Sequence, residues 1–401
     1  MPWSWQGRPP LSAARRGSQR TPKRRKSAKS LGRAKGVTLT ARINASDFIR
    51  PHIRKVEGYK AVDPIEEQAA RMGIPEAQVI RLNANENPYG CSPKVAAAVA
   101  AVPYNIYPDP EQRRTRRELG KFLGVSPDSV IAGAGSDEII DLLFRLVLAP
   151  GDNIIDCDPT FGMYSFDAGV NEVQVKTVQR DELFDVDVAA VKRAIDSRSK
   201  AIFLTSPNNP TGNVLSEKTL REILDTGLLV AVDEAYYDFC GKSFIHMVSE
   251  TPNLVVLRTM SKWAGLAGLR VGYGVMHPDF VSRIIQIKQP YNISTAAEAG
   301  LYASIEDAAY LDRNRDLLIV ERERLFALLK SVPGITPLPS GGNFILFEVP
   351  QGRSQHIFDS LAKRGIFLRR YGSKRLVNYI RTSVGKPEHT DALISALKEL
   401  V

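Results

Sequence analysis

The sequence predicts an α/β protein: a mostly parallel sheet in a large domain, joined to a smaller α+β domain. Three observations carry this expectation. Short apolar runs alternate with helix-spaced segments through the middle of the chain. The runs end in polar or glycine-rich turns, where such sheets place their ligands. After about residue 304 the pattern changes to a long charged amphipathic helix followed by isolated strands.

The elements follow in order. Residues 79–83 read as a short entry strand, and Asn85-Glu86-Asn87-Pro88-Tyr89-Gly90 as a polar turn. Residues 111–123 have helical spacing. Residues 129–132 form a strand, Gly133-Ala134-Gly135 a glycine turn, and 137–148 a helix. Ile154 and Ile155 are a strand core, and the strand 201–205 stops at Ser206-Pro207. The apolar run 228–232 ends at Asp233, and 253–258 ends just before Ser261-Lys262. Residues 312–330 are the amphipathic helix, 343–349 and 379–384 are strands, and 389–400 is a closing helix. Residues 81–303 are assigned to the large domain, with 46–80 and 304–401 forming the smaller one. No internal repeat is evident.

Of the 401 residues, 43% are hydrophobic and 24% charged, an ordinary globular balance. No run approaches the roughly 18 consecutive apolar residues of a membrane-spanning helix, so no membrane partner is expected. Cys91, Cys157 and Cys240 form neither a CxxC pair nor a disulfide framework. The five histidines are too scattered to indicate a metal site. The net charge of +10 misleads if taken whole. Residues 1–46 hold 12 of the 54 Lys and Arg and none of the 44 Asp and Glu, leaving 42 basic against 44 acidic side chains elsewhere. The stretch 1–42 is Arg- and Ser-rich and acid-free. It cannot bury apolar surface and is expected to be disordered. Its composition is that of an organelle transit peptide. The competing readings are a nucleic-acid patch around Lys23-Arg24-Arg25-Lys26 and a plain disordered extension. The patch lacks interleaved aromatics beyond Trp3 and Trp5, and no recognition helix follows, so no nucleic-acid partner is expected.

The chemistry concentrates between residues 206 and 274. Lys262 lies in Ser261-Lys262-Trp263-Ala264-Gly265-Leu266-Ala267-Gly268-Leu269-Arg270-Val271-Gly272-Tyr273-Gly274, with four glycines clearing space around lysine and arginine. Upstream come Asn208-Asn209-Pro210-Thr211-Gly212 and Asp233-Glu234-Ala235-Tyr236. An amine, a carboxylate, a phenol and a guanidinium suit pyridoxal 5′-phosphate (PLP), which has an aldehyde, a pyridine ring and a phosphate. A lysine amine must shed its proton to condense with an aldehyde, and desolvation or nearby positive charge achieves this. A carboxylate ending an apolar strand is costly unless paired, and a protonated ring nitrogen would pair with Asp233. Asn209 in its rigid loop and Tyr236 have amide and hydroxyl donors for a ring oxygen. Gly133-Ala134-Gly135-Ser136-Asp137 opens a helix, and backbone N–H groups there bind anions. With Ser261 and Arg270 they complete a phosphate cup. Phe161 follows another strand, placed to stack on a ring.

Together these marks resemble the fold-type I PLP-dependent aminotransferases, and within them the histidinol-phosphate aminotransferases. Further marks are Leu82-Asn83-Ala84-Asn85-Glu86-Asn87-Pro88-Tyr89-Gly90, Tyr107-Pro108-Asp109-Pro110, Asn343-Phe344-Ile345-Leu346 and Arg381-Thr382-Ser383-Val384-Gly385. The resemblance runs from about Phe48 to the C-terminus. It implies that Lys262 carries PLP covalently, that Asp233 binds the pyridine nitrogen, and that Tyr236 and Asn209 bind the ring oxygen. It implies that Ser136, Asp137, Ser261 and Arg270 hold the phosphate, reached by Tyr107 from a second subunit of a homodimer. Tyr59, Asn343, Arg369 and Arg381 are implied to grip the substrate. The implied reaction is amino transfer between histidinol phosphate and 2-oxoglutarate, the latter becoming glutamate, in histidine biosynthesis. An aromatic-amino-acid aminotransferase is the alternative on the same fold, and a decarboxylase of a phosphorylated amino acid a further one. A histidine-pathway enzyme with a transit peptide implies a plastid stroma, or alternatively a mitochondrial matrix. Two positions depart from the family: Trp263 stands where smaller residues are common, and Gly58 precedes Tyr59 where proline is frequent.

Overall fold

The computed structural model describes residues 44–59 and 61–401. The leader expected at 1–42 lies outside the described residues. Ile49 closes one unit, of which the 3-10 turn Ala45–Phe48 is described, capped by the Asn44 side chain. Arg50–Val401 is a second, compact unit.

The first strand, β1 (Ile80–Arg81), lies outside the central sheet of that unit. The central sheet holds β2 (Val130–Gly133), β3 (Asn153–Asp158), β4 (Gln174–Gln179), β5 (Ser199–Thr205), β6 (Leu229–Asp233), β7 (Leu254–Thr259) and β8 (Gly272–Val275). Their spatial order is β2-β8-β7-β6-β5-β3-β4. All run one way except β8, which is antiparallel to both neighbours. Val230 and Val232 enter one apolar cluster, Leu229 and Ala231 another, so both faces of the sheet are buried. That is the period-two alternation of a pleated strand in a sheet covered on both sides.

Register aligns the strand ends. Gly133 faces Gly272, Gly272 faces Thr259, Leu257 faces Asp233, and Asp233 faces Thr205. The carboxyl ends of β2, β5, β6 and β7 therefore share one edge, where the polar loops begin.

The C-terminal part builds a four-stranded antiparallel sheet from β9 (Thr336–Pro337), β10 (Phe344–Glu348), β12 (Arg369–Arg370) and β13 (Tyr379–Ser383), in the order β12-β13-β10-β9. Between them β11 (Ile366–Phe367) pairs in parallel with β1. The helix Ala308–Lys330 packs Leu318, Leu325 and Leu329 into the core behind this sheet. It starts four residues before the expected helix. The expected entry strand 79–83 shortens to the two residues of β1. Leu82 enters the C-terminal core, and Asn83 turns off to meet Arg381. Gly133, expected in a turn, is the last residue of β2. The missing Cβ leaves room for Ile139, whose Cγ1 would otherwise lie 2.8 Å away.

Gly272 marks a tight approach of backbone to backbone on the shared edge. A Cβ there would lie 2.7 Å from the Gly135 carbonyl carbon and 2.9 Å from the Arg258 carbonyl oxygen. Both are backbone atoms, so neither gives way unless the turn into helix Ser136–Val147 shifts. Gly272→Ala is expected to lower stability by about 1–3 kcal/mol, read from urea unfolding at unchanged m.

Candidate active site

Two adjoining cavities open at the carboxyl ends of the strands. The inner one, about 140 Å³, is lined by Ser136, Asp137, Phe161, Asn209, Asp233, Tyr236, Ser261, Lys262 and Arg270, with Thr205, Ala235 and Thr259. The outer one, about 420 Å³, shares Phe161, Asn209, Tyr236 and Lys262 and adds Tyr59, Arg369, Tyr371 and Arg381. Twelve of the fourteen residues singled out in the sequence thus line one cavity or the other. Asn343 lies a layer behind. It is 1% exposed and donates from Nδ2 to the Asn85 carbonyl at 3.1 Å. Tyr107 lies outside both cavities, 75% exposed and stacked on Tyr291 at 4.3 Å.

Lys262 follows β7 in an irregular loop. Its Nζ donates to the Ala84 carbonyl at 3.1 Å. The residue keeps some surface open to the cavity, yet protein rings the amine. Burial lowers its pKa to about 8, Arg381 and Arg270 assist, and Glu86 and Asp137 oppose. An amine so placed exchanges its proton near neutral pH.

Asp233 ends β6 and is 3% exposed. Its Oδ1 accepts from the Ala235 N–H at 3.0 Å and its Oδ2 from the Tyr164 hydroxyl at 3.0 Å. Burial still wins, raising its pKa to about 6, because two neutral donors offset only part of the lost hydration. Burial also raises the pKa of the adjacent Glu234, but this group has a charged partner. It is fully buried and pairs with Arg258 at 3.0 Å, and Arg258 also stacks on Tyr237 at 3.4 Å. The pair ties the end of β6 to β7 just beneath Asp233.

Asn209 and Tyr236 present donors to the cavity. The Asn209 Oδ1 accepts from Arg381 Nη1 at 2.6 Å, which leaves Nδ2 as the free end of the amide. The Tyr236 hydroxyl accepts from Asn85 Nδ2 at 3.1 Å and keeps its own proton to give. The neighbouring Asn208 is 0% exposed and bonded to Pro159, Thr211, Thr160 and Arg180, so the loop is rigid at this point.

The far end of the inner cavity suits an anion. Gly135, with φ of +83°, precedes the first turn of Ser136–Val147 and frees its N–H groups. Arg270 reaches the same turn, pairing with Asp137 at 2.9 Å. Ser261 Oγ accepts from Thr259 Oγ1 at 2.9 Å at its rim.

The sequence reading put Asn83 at the end of the entry strand and Asn85 and Asn87 in a polar turn and gave the segment no role of its own, yet it links several parts of the site. Asn83 O accepts from Arg381 Nη2 at 2.7 Å, Ala84 O accepts from Lys262 Nζ, and Asn85 holds Tyr236. Asn87 Nδ2 donates to the Trp263 carbonyl at 3.1 Å. Tyr164 and Thr205, bonded at 2.7 Å behind Asp233, were also missed, as was Tyr371. Tyr164 is the second residue of the helix Met163–Val170, and an aromatic there is indistinguishable from core in one sequence. The signal available was the position of Thr205 at the end of a strand beside Asp233. Among the described residues no cluster of acids, histidines and cysteines is arranged to hold a metal, and no helix is long and apolar enough to cross a membrane.

Residues 77–397 match the family model described as aminotransferase class I and II. The chain is 47% identical over 363 residues to the histidinol-phosphate aminotransferase of Roseiflexus castenholzii, covering 88% of this chain and 98% of that one. It is 47% identical over 362 residues to a chloroplastic histidinol-phosphate aminotransferase of Nicotiana plumbaginifolia, covering 89% and 87%. Its structure matches that of histidinol-phosphate aminotransferase from Sinorhizobium meliloti, crystallised with pyridoxal-5′-phosphate. The TM-score is 0.80 at 26% identity, with 88% and 97% of the two chains covered. A lysine with a loosened proton and a buried acid face one cavity here, in a chain alike to these over nearly its whole folded length; it belongs to the aminotransferase class I and II family.

Proposed function

We propose that this chain is a PLP-dependent aminotransferase that moves the amino group between L-histidinol phosphate and 2-oxoglutarate. The observation that carries this is the pairing of Lys262 and Asp233 across the inner cavity, each displaced from its ordinary protonation range and neither bonded to the other. The residues fit the cofactor on their own chemistry. Asp233 is a buried carboxylate with no ion-pair partner among the described residues, and Arg270 with the turn at Gly135 suits an anion at the opposite end.

When bound, PLP supplies an electron sink that stabilises negative charge at the substrate carbon. Asp233 keeps a proton on the ring nitrogen by offering a carboxylate where water is excluded. The Tyr236 hydroxyl and the Asn209 amide donate toward the ring oxygen, and Phe161 covers one face. The Ser136 and Asp137 N–H groups, Ser261 and Arg270 hold the phosphate. Lys262 Nζ, freed of its proton near pH 8, takes the proton from the substrate carbon and returns it to complete the transfer. Arg369 and Arg381 line the outer cavity, where a guanidinium fork suits a phosphate or carboxylate. Asn343 supports the site through Asn85, and Tyr59 closes its outer side. The plant relative supports reading residues 1–42 as a plastid address, and Tyr107 on an exposed aromatic surface suits a homodimer in which it reaches the partner's site.

Three outcomes test the reading. Purified 42–401 protein is expected to turn over histidinol phosphate well above phenylalanine. Arg369→Ala should raise KM for histidinol phosphate about 10- to 100-fold while phenylalanine turnover barely moves; equal losses on both would favour the aromatic alternative. Covalent attachment of PLP at Lys262, trapped with borohydride and located by peptide mass, should rise with pH through about 8 rather than the ordinary 10.5. No trapped label at this residue would end the proposal.

Asp233 provides a fourth test. Its pKa is raised on folding, so its charge costs the folded state stability above pH 6 and nothing below pH 4, where folded and unfolded chains are both protonated. Asp233→Asn is therefore expected to stabilise the PLP-free protein at pH 7.5, by on the order of 2–3 kcal/mol. The same change should cut activity by about two orders of magnitude or more. Melting curves of both proteins at pH 5 and 7.5 check the sign, since the gain should shrink at the lower pH.

A further inference from the structure

The outer cavity holds polar atoms that the protein itself does not satisfy. Ten buried side-chain atoms lack a hydrogen-bond partner among the described residues, and three of them belong to residues lining this one cavity. They are the Tyr371 hydroxyl, Arg381 Nε and Asn83 Oδ1. A buried donor left unpaired costs about 1–3 kcal/mol, so a concentration of such atoms in one cavity needs a reason.

Tyr371 is the residue for which neither sequence pattern nor family mark assigned a role. It directly follows β12, which places it two residues beyond Arg369, and β12 pairs with the β13 segment bearing Arg381. Its ring packs against the apolar cluster of Phe184, Leu346 and Leu376, so packing and not hydrogen bonding sets its orientation. Tyr371, Arg369 and Arg381 line the same cavity; burial raises the phenol pKa, the two arginines pull the other way, and the group remains a protonated donor. A tetrahedral phosphate presents more acceptor sites than one arginine fork can fill, and a phenol beside two arginines supplies the next donor.

We propose that Tyr371 is a specificity-determining residue whose hydroxyl donates to the substrate oxyanion held between Arg369 and Arg381. This rests on the aminotransferase reading above and extends it. The ligand chemistry is an oxyanion, carried either by the phosphate of the amino donor or by the carboxylate of 2-oxoglutarate.

Tyr371→Phe isolates the hydroxyl, because the ring and its packing remain. In the PLP-loaded enzyme the inhibition constant of inorganic phosphate should rise about 5- to 10-fold, the equivalent of one hydrogen bond. KM should rise similarly for histidinol phosphate, for 2-oxoglutarate, or for both, with kcat within about twofold and a melting temperature no lower than the parent's. A rise confined to histidinol phosphate identifies the phosphate as the acceptor, and a rise confined to 2-oxoglutarate identifies the carboxylate. If the phosphate inhibition constant and both KM values match the parent enzyme, an ordered water is the hydroxyl's partner and the proposal is wrong. A parent enzyme inactive on histidinol phosphate would instead overturn the function proposed above. The phosphate and 2-oxoglutarate measurements would still judge Tyr371 on whichever amino donor it accepts.

Discussion

The site depends on keeping an amine and a carboxylate buried near one another without letting them pair. Lys262 and Asp233 line the same 140 Å³ cavity, yet Lys262 donates a hydrogen bond to a carbonyl and Asp233 accepts its hydrogen bonds from neutral donors. A direct ion pair would return both groups to their ordinary charged states. Holding them apart leaves each with an unmet desolvation cost, and that cost is what moves the lysine pKa down and the aspartate pKa up. In the proposed function, a ligand with a cationic ring and an aldehyde relieves both ends at once.

Separation of this kind needs rigid walls, and two devices provide them. The Glu234–Arg258 pair is fully satisfied: Glu234 also accepts from Ser243 Oγ at 2.8 Å and the Phe244 N–H at 2.6 Å. A buried pair with its remaining lone pairs filled fixes geometry more than it adds stability. It sets the spacing of β6 and β7, and hence of Asp233 and Lys262. The second device is the segment 83–87, where Asn85 takes a left-handed conformation at φ of 54° and bonds Ser383 through both its N–H and its Oδ1. From there it positions Tyr236, while its neighbours position Lys262 and Arg381. The small-sheet strand β13 is thereby tied to the loop that follows β7.

How much of this was legible in the sequence follows the same physics. The strands 201–205, 228–232 and 253–258 were read almost to the residue, because parallel strands buried on both faces are unbroken apolar runs. Asp233 and Lys262 stood out because each interrupts or follows such a run. β8 was not assigned, since Gly272 and Gly274 have low strand propensity and serve close packing instead. β4 was not assigned because it is an edge strand with polar, partly exposed residues at most positions. The residues that build the walls were hidden for a different reason. Asn85 and Asn87 have the composition of any turn, Tyr164 that of any core helix, and Tyr371 follows two arginines in a charged stretch. Their roles arise from contacts across 150 to 300 residues of chain, such as Asn85 to Tyr236 and to Ser383, which no local pattern encodes.

The positive charges of the site serve two ends at once. Arg270 stands beside the inner cavity and Arg381 at the outer, with Lys262 between them. Both guanidinium groups depress the amine, Arg381 the more strongly. The same charges draw in anionic ligands, and a cleft of one sign concentrates them. These effects are coupled. Burial is the larger cause of the lowered amine pKa, and an oxyanion seated on Arg381 offsets only the share the arginine adds. In the proposed function, the amine is weakly basic and free to react with an aldehyde before substrate arrives, and somewhat more basic once an oxyanion sits on Arg381.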